Sequence, residues 1–201
     1  MGTRFIFLRH GQIKANRTGH WHGSTDSQLT WLGRGQAKRT RRYFKKAGPE
    51  ITHAYSSPLQ RCQKTADIAT RHLKLDIDTL DGVAEMSIGA WENKPFDELR
   101  SEYGLFEKIS ADADFRPPDG ESIADVSSRF AGAITAVAEQ HEEEDCVLIV
   151  THGFALAIYM ATLLDQNPLN WAEYNFHNCS ISEIELVPGP KVHRLNQYGH
   201  L

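Results

Sequence analysis

Two histidines occupy the same kind of place in this chain. His10 follows the apolar run FIFLR at 5 to 9, His152 follows VLIVT at 147 to 151, and glycine comes directly after each. One histidine at the end of a strand is more often a hydrogen-bonded structural residue than a reactive one; two, each at a glycine turn, shift the balance. Arg9 precedes the first, Arg61 follows SSPLQ at 56 to 60, and Glu85 lies in GVAEMSIGAWEN at 82 to 93. Arginine forks match the oxygens of a phosphoryl group in pairs. Phosphoryl transition states are loose and need positioning and positive charge more than covalent machinery. Arg9, His10, Arg61, Glu85 and His152 at successive strand ends therefore suit phosphoryl transfer, with Arg9, Arg61 and His152 as the source of the charge that a metal would otherwise bring. No Gly-rich Lys-Ser/Thr loop and no magnesium-holding carboxylate cluster is visible, which argues against a nucleotide-dependent kinase.

These residues need a scaffold that gathers strand ends. Strand patterns at 4 to 9, 52 to 57, 75 to 80, 146 to 152, 180 to 186 and 191 to 195 alternate with helical ones. That order predicts an α/β three-layer sandwich: a mostly parallel central sheet with helices on both faces. Ligands of such sheets gather beyond the carboxyl ends of the strands. Ser57 and Pro58 read as the start of a helix whose buried face carries Leu59, Cys62, Ala66, Ala69 and Leu73, placing Arg61 in its first turn. Ser122 with Asp125 has the form of a capping box ahead of an apolar face running from Ile123 to His141. A third helix spans about 30 to 47, and FALAIYMATLL at 154 to 164 reads as a buried one. Residues 93 to 121 show no strand, at most one short helix near 96 to 103, and look like a loop-rich, lid-like excursion from a single domain covering 1 to 201.

Composition narrows the function classes. The net charge of −4 argues against general nucleic-acid affinity, and the basic helix face at 34 to 46 reads as solvated. Cys62, Cys146 and Cys179 form no CxxC pair, which fits a reducing, cytoplasmic setting better than a disulfide framework. Neither a leader nor a myristoylation pattern is read at 1 to 6, and the longest apolar run is too short to span a bilayer. Expected partners are thus a small phosphorylated metabolite, without nucleic acid or membrane; a homodimer stays open. His20 and His22 could chelate from one loop, but no third ligand has suitable spacing, so no metal and no cofactor are expected.

The ordered set RHG (9 to 11), Asn16, GSTDSQLTWLGRGQA (23 to 37), YSSPLQRCQKTA (55 to 66), EMSIGAWEN (85 to 93), PPDGES (117 to 122), VTHG (150 to 153) and the final HL resembles the histidine phosphatase superfamily, the phosphoglycerate mutase-like proteins, over nearly the whole chain. The resemblance implies that His10 attacks phosphorus through one ring nitrogen to form a phosphohistidine, while a backbone group holds the other. Arg9 and Arg61 would bind phosphoryl oxygens, with His152 and Asn16 completing the cradle. Glu85 would protonate the leaving oxygen and then take a proton from the attacking water. His22, Gly23 and Gly153 would line the substrate side.

The family contains hydrolases and mutases. IGAWEN after Glu85, with Trp91 and Glu92, and the short span from Glu85 to GES at 120 to 122 resemble the phosphatase branch. A metal-independent phosphomonoesterase of the histidine acid phosphatase type is therefore the leading reading. A 2,3-bisphosphoglycerate-dependent mutase-type phosphotransferase is the alternative, and a non-catalytic phosphate-binding protein the third. The chain departs from the usual pattern at Ile13, at Asn93 in place of glycine, and at His22 in place of Gln, Ser or Thr; the last marks an altered substrate preference. Trp21, Trp91 and Phe154 could line a pocket for an organic group, but aromatic residues at element ends are at least as often ordinary packing, so they are not counted as site residues.

Overall fold

The computed structural model describes residues 3 to 186 and 188 to 201. Met1, Gly2 and Val187 lie outside it, and with them the start of the segment searched for a leader or acylation signal. Six strands, β1 (Arg4–Arg9), β2 (His53–Ser56), β3 (Ile77–Thr79), β4 (Cys146–Thr151), β5 (Ile181–Glu185) and β6 (Lys191–Gln197), form one sheet in the order β3-β2-β4-β1-β5-β6. The four strands from β3 to β1 are mutually parallel, whereas β5 runs antiparallel to β1, and β6, antiparallel to β5, returns to the direction of the others. The fold is the expected α/β architecture with a mostly parallel sheet.

The unbroken apolar runs of β1 and β4 follow from burial on both faces. Phe5, Phe7, Val147 and Ile149 enter one core; Ile6, Leu8, Leu148 and Val150 enter the other. The first core is closed by α6 (Ile123–Ala138) and α7 (Gly153–Asp165), where the Phe130 ring stacks on Tyr159 at 4.6 Å. The second is closed by α2 (Trp31–Lys46) and α3 (Gln60–Thr70). Each large side chain withdrawn from water here is worth roughly 1.5–3 kcal/mol, so the sheet is held from both sides.

Caps explain most of the boundaries. The Thr30 hydroxyl accepts from Gly33 N at 3.0 Å, and Ser122 with Asp125 forms the anticipated reciprocal box. The α6 helix ends before His141, whose ring turns to Tyr55 instead. Ser57 is not the cap it resembled: α3 begins at Gln60 without a side-chain cap, and the Ser57 hydroxyl faces His152. Two short helices escaped the sequence pattern, α1 (Lys14–Thr18) and α5 (Leu105–Ala111), as did a 3-10 segment at Pro168–Glu173. The 93 to 121 excursion thus holds two helices, α4 (Phe96–Ser101) and α5, pinned by the buried Leu99, Leu105 and Ile109. Asn93, where the family has glycine, sits at φ 64°, a left-handed conformation that asparagine tolerates better than most residues.

Candidate active site

The parallel strands deliver His10 and His152 side by side. His10 follows β1 and donates its backbone N–H to Thr151 O at 2.9 Å, and the two imidazoles meet edge to face with centroids 5.3 Å apart. The Nδ1 of His10 lies 2.7 Å from Gly11 O. A carbonyl only accepts, so Nδ1 carries the proton and Nε2 keeps its electron pair. Burial drives the His10 pKa well below its usual 6.5, the Arg61 and Arg9 charges add to this, and the Gly11 bond opposes it. The ring is neutral near pH 7.

Behind His10, Arg61 is fully buried and organises its surroundings. Its Nε donates to His152 Nδ1 at 3.1 Å, Nη1 to Thr25 O at 2.8 Å, and Nη2 to His22 O at 3.1 Å and Gly23 O at 2.7 Å. Because His152 Nδ1 accepts, its Nε2 holds the proton and donates to Ser57 Oγ at 2.7 Å. Burial first, then Arg61, also lowers the His152 pKa well below 6.5. Arg9 is the cation that faces forward: Nη1 donates to Phe176 O, and the buried Nε N–H has no protein acceptor. Burial lowers its pKa, with Glu85 opposing.

The two glycines are needed for packing as well. A Cβ on Gly11 would lie 2.6 Å from Gly33 O, so the turn after His10 rests directly on the backbone of α2. A Cβ on Gly153 would lie 2.9 Å from Arg9 Cζ and Nε, so that glycine leaves room for the guanidinium.

Glu85 is held at the N-terminus of α7. Oε1 accepts from Ala155 N at 2.7 Å and Met86 N at 3.0 Å, and Oε2 accepts from Phe154 N at 3.2 Å. It is the one carboxylate among the described residues lining a cleft of about 480 Å³ that also contains Arg9, His10, Asn16, His22 and Gly153. Asn16 Oδ1 accepts from Ile13 N and from Asn178 Nδ2, each at 3.1 Å, which leaves its own Nδ2 toward the cleft. His22 Nδ1 pairs with Ser27 Oγ at 2.6 Å, and burial, then Arg61, lowers its pKa. Arg61, His152 and Gly23 do not line the cleft. Gly23 donates its N–H to Glu92 Oε2 at 2.9 Å, so its place is in the loop clamp and not on the substrate side.

Several contributors were not counted as site residues in the sequence. Glu92 accepts from the backbone N–H groups of Gly23, Ser24, Thr25 and Ile88 and from the Thr25 hydroxyl, tying the 22 to 25 loop to the segment after Glu85. Asn178 joins His10 O to Asn16. The outer cleft is aromatic: Trp21, Phe96, Phe106, Phe154, Trp171 and Tyr174, with Arg100 over the Phe106 ring at 5.3 Å. Of the three aromatics open to either role in the sequence, Trp21 and Phe154 belong to this wall with ring centroids 5.0 Å apart, whereas Trp91 packs on Tyr103.

The site thus sets a neutral histidine, an arginine and one carboxylate around a single cleft. The chain belongs to the histidine phosphatase superfamily (branch 1), whose profile it matches over residues 5 to 197. It is 31% identical over 188 residues to "Probable phosphoglycerate mutase GpmB" of Yersinia enterocolitica, covering 92% of this chain and 86% of that one. The protein of the same name from Citrobacter koseri is 31% identical over 204 residues, covering 96% and 93%. Among solved structures it is similar to Bacillus stearothermophilus YhfR, with TM-score 0.88, 29% identity and 99% of both chains covered. The Entamoeba histolytica phosphoserine phosphatase bound to 3-phosphoglyceric acid gives 0.86, 27% identity and 99% of both chains. The mycobacterial glucosyl-3-phosphoglycerate phosphatase complexed with VO3 gives 0.86 at 26% identity, covering 97% of this chain and 99% of that one. No described helix is long and apolar enough to cross a membrane.

Proposed function

We propose that this chain is a metal-independent phosphomonoesterase that hydrolyses a small phosphorylated metabolite through a phosphohistidine on His10. The observation that carries the reading is the His10 ring: Nδ1–H is tied to Gly11 O, Nε2 is free, and Arg9 stands beside it in the cleft. Nε2 attacks phosphorus, the P–O bond to the leaving group breaks, and Glu85 gives that oxygen its proton. Water then attacks the phosphoryl group and passes its proton to Glu85; the P–N bond breaks, and phosphate leaves. Arg9 holds the phosphoryl oxygens with the guanidinium it brings to the cleft, and Asn16 Nδ2 adds a donor. Arg61 backs the site with charge, the neutral His152 ring stands between it and His10, and Arg61 fixes the loop that carries His22 and Gly23.

The organic end of the cleft supports a hydrolase over the mutase reading that the GpmB relatives' names suggest. A bisphosphoglycerate would bring a second phosphate and a carboxylate, yet Arg100 is the one further Arg or Lys among the described lining residues, set in an aromatic wall. The same wall suits a substrate with an apolar or aromatic group, and the α4–α5 excursion, which contributes Phe96, Arg100 and Phe106, serves as its lid. Phosphate release from p-nitrophenyl phosphate in excess EDTA, with wild type and His10→Ala compared, tests the reading. Release that survives EDTA and disappears in the variant supports it. Conversion of phosphoglycerate isomers that depends on 2,3-bisphosphoglycerate, faster than hydrolysis, would replace it with the mutase.

A further inference from the structure

A second histidine pair lies at the opposite end of the sheet. His53 opens β2, and His141 and Asp145 lie four residues apart in the short connection from α6 to β4, so two segments meet at the amino-terminal edge. His53 Nδ1 is 3.5 Å from one Asp145 carboxylate oxygen, and His141 Nδ1 is 3.4 Å from the other. The imidazole centroids are 4.1 Å apart, and one donor atom from each residue falls within 4.8 Å of the others. Donors bound tetrahedrally at the usual Zn–N and Zn–O lengths stand about 3.3 Å apart.

We propose that His53, His141 and Asp145 form a binding site for one zinc-class divalent cation, separate from the phosphoryl cleft, with the fourth position open to water.

Three further features fit. Tyr55 Oη lies 2.9 Å from His141 Nε2; with Nε2–H donating to it, Nδ1 is left as a ligand, which is how metal-bound histidines are commonly oriented. Asp145 is aimed from both sides, accepting from Thr52 Oγ1 and from Glu142 N, each at 3.0 Å. The His141 side chain is largely buried, which holds its ring in place. His53 Nδ1 also sits 3.0 Å from Thr52 Oγ1, a contact the metal would replace. Binding would staple β2, β4 and the end of α6 together, with no part in the chemistry at His10.

The test is calorimetric titration of tag-free, chelator-stripped protein with Zn²⁺, repeated with Co²⁺ in the visible. Wild type should bind one ion per chain at micromolar concentrations, gain thermal stability and give the intense cobalt bands of a four-coordinate site. His53→Ala, at a half-exposed side chain whose loss the fold tolerates, and His141→Gln should each weaken binding at least tenfold, while His20→Ala and His22→Ala should leave it unchanged. No binding by wild type, or one-to-one binding that survives loss of both His53 and His141, would overturn the proposal. Because hydrolysis at His10 is read out separately in EDTA, failure here leaves that mechanism standing, and the reverse holds too.

Discussion

The two ends of the sheet each present a close pair of imidazoles, and what surrounds each pair differs in sign. His10 and His152 are buried against Arg9 and Arg61, whereas His53 and His141 share Asp145 near the surface. Imidazole serves either purpose: beside guanidinium it remains neutral in a site made for an anion, and beside a carboxylate it joins a site made for a cation. The counter-charge, rather than the histidine, assigns the role.

The largest effect should come from removing the nucleophile at the first pair: His10→Ala should lower kcat by roughly 10⁴-fold or more, read as phosphate release. Glu85→Gln keeps the shape but cannot shuttle a proton, and should cost about 10²–10⁴-fold, less for substrates whose leaving group needs no protonation. Gly153→Ala pushes a methyl group against Arg9, and should cost about 10–100-fold in kcat/KM while the protein stays folded. An activity close to wild type would mean that Arg9 does not hold the phosphoryl group.

The pH profile sharpens the contrast further. With the His10 pKa pushed well below 6.5, kcat/KM should not show a histidine limb at 6.5; the fall from protonating the nucleophile comes only at lower pH. Stability follows a related sign. His10 and His152 take up protons in the unfolded chain near 6.5 but resist them when folded, so their linkage leaves stability intact above that pH. It declines as pH falls through 6.5 toward their lowered folded values, which acid-titrated thermal melts would follow.

Smaller effects separate chemistry from recognition. Trp171→Ala at the outer wall should raise KM for an aromatic phosphate about tenfold, with little change for a small aliphatic one. Smallest of all, His53→Ala at the second pair should leave kcat and KM within about twofold of wild type, as expected of a surface position remote from the cleft.

Legibility followed sequence distance. The first pair was readable because each member is local: an apolar strand, a histidine and a glycine sit within a few residues, and strand ends in a parallel sheet must converge. Arg9 and Glu85 could be placed on the cleft by the same rule. The glycines' position was legible but their packing role was not, since the Gly33 backbone and the Arg9 guanidinium that they accommodate are defined only by packing. Ser57 was misread for a related reason: next to a proline it looks like a cap, and only the approach of His152 shows where its hydroxyl goes.

By itself, then, the sequence determined the α/β sheet, its doubly covered central strands and the residues gathered at its carboxyl edge, because alternation and strand-end motifs are short-range patterns. Tertiary structure alone decided the rest. It put Arg61 behind the cleft with four of its N–H groups already engaged, made Gly23 part of the Glu92 clamp, and assembled the aromatic wall from five distant segments. It also brought His53, His141 and Asp145 together at the other edge. Those contacts join segments far apart in the chain, so their geometry exists only once the sheet and its helices have packed.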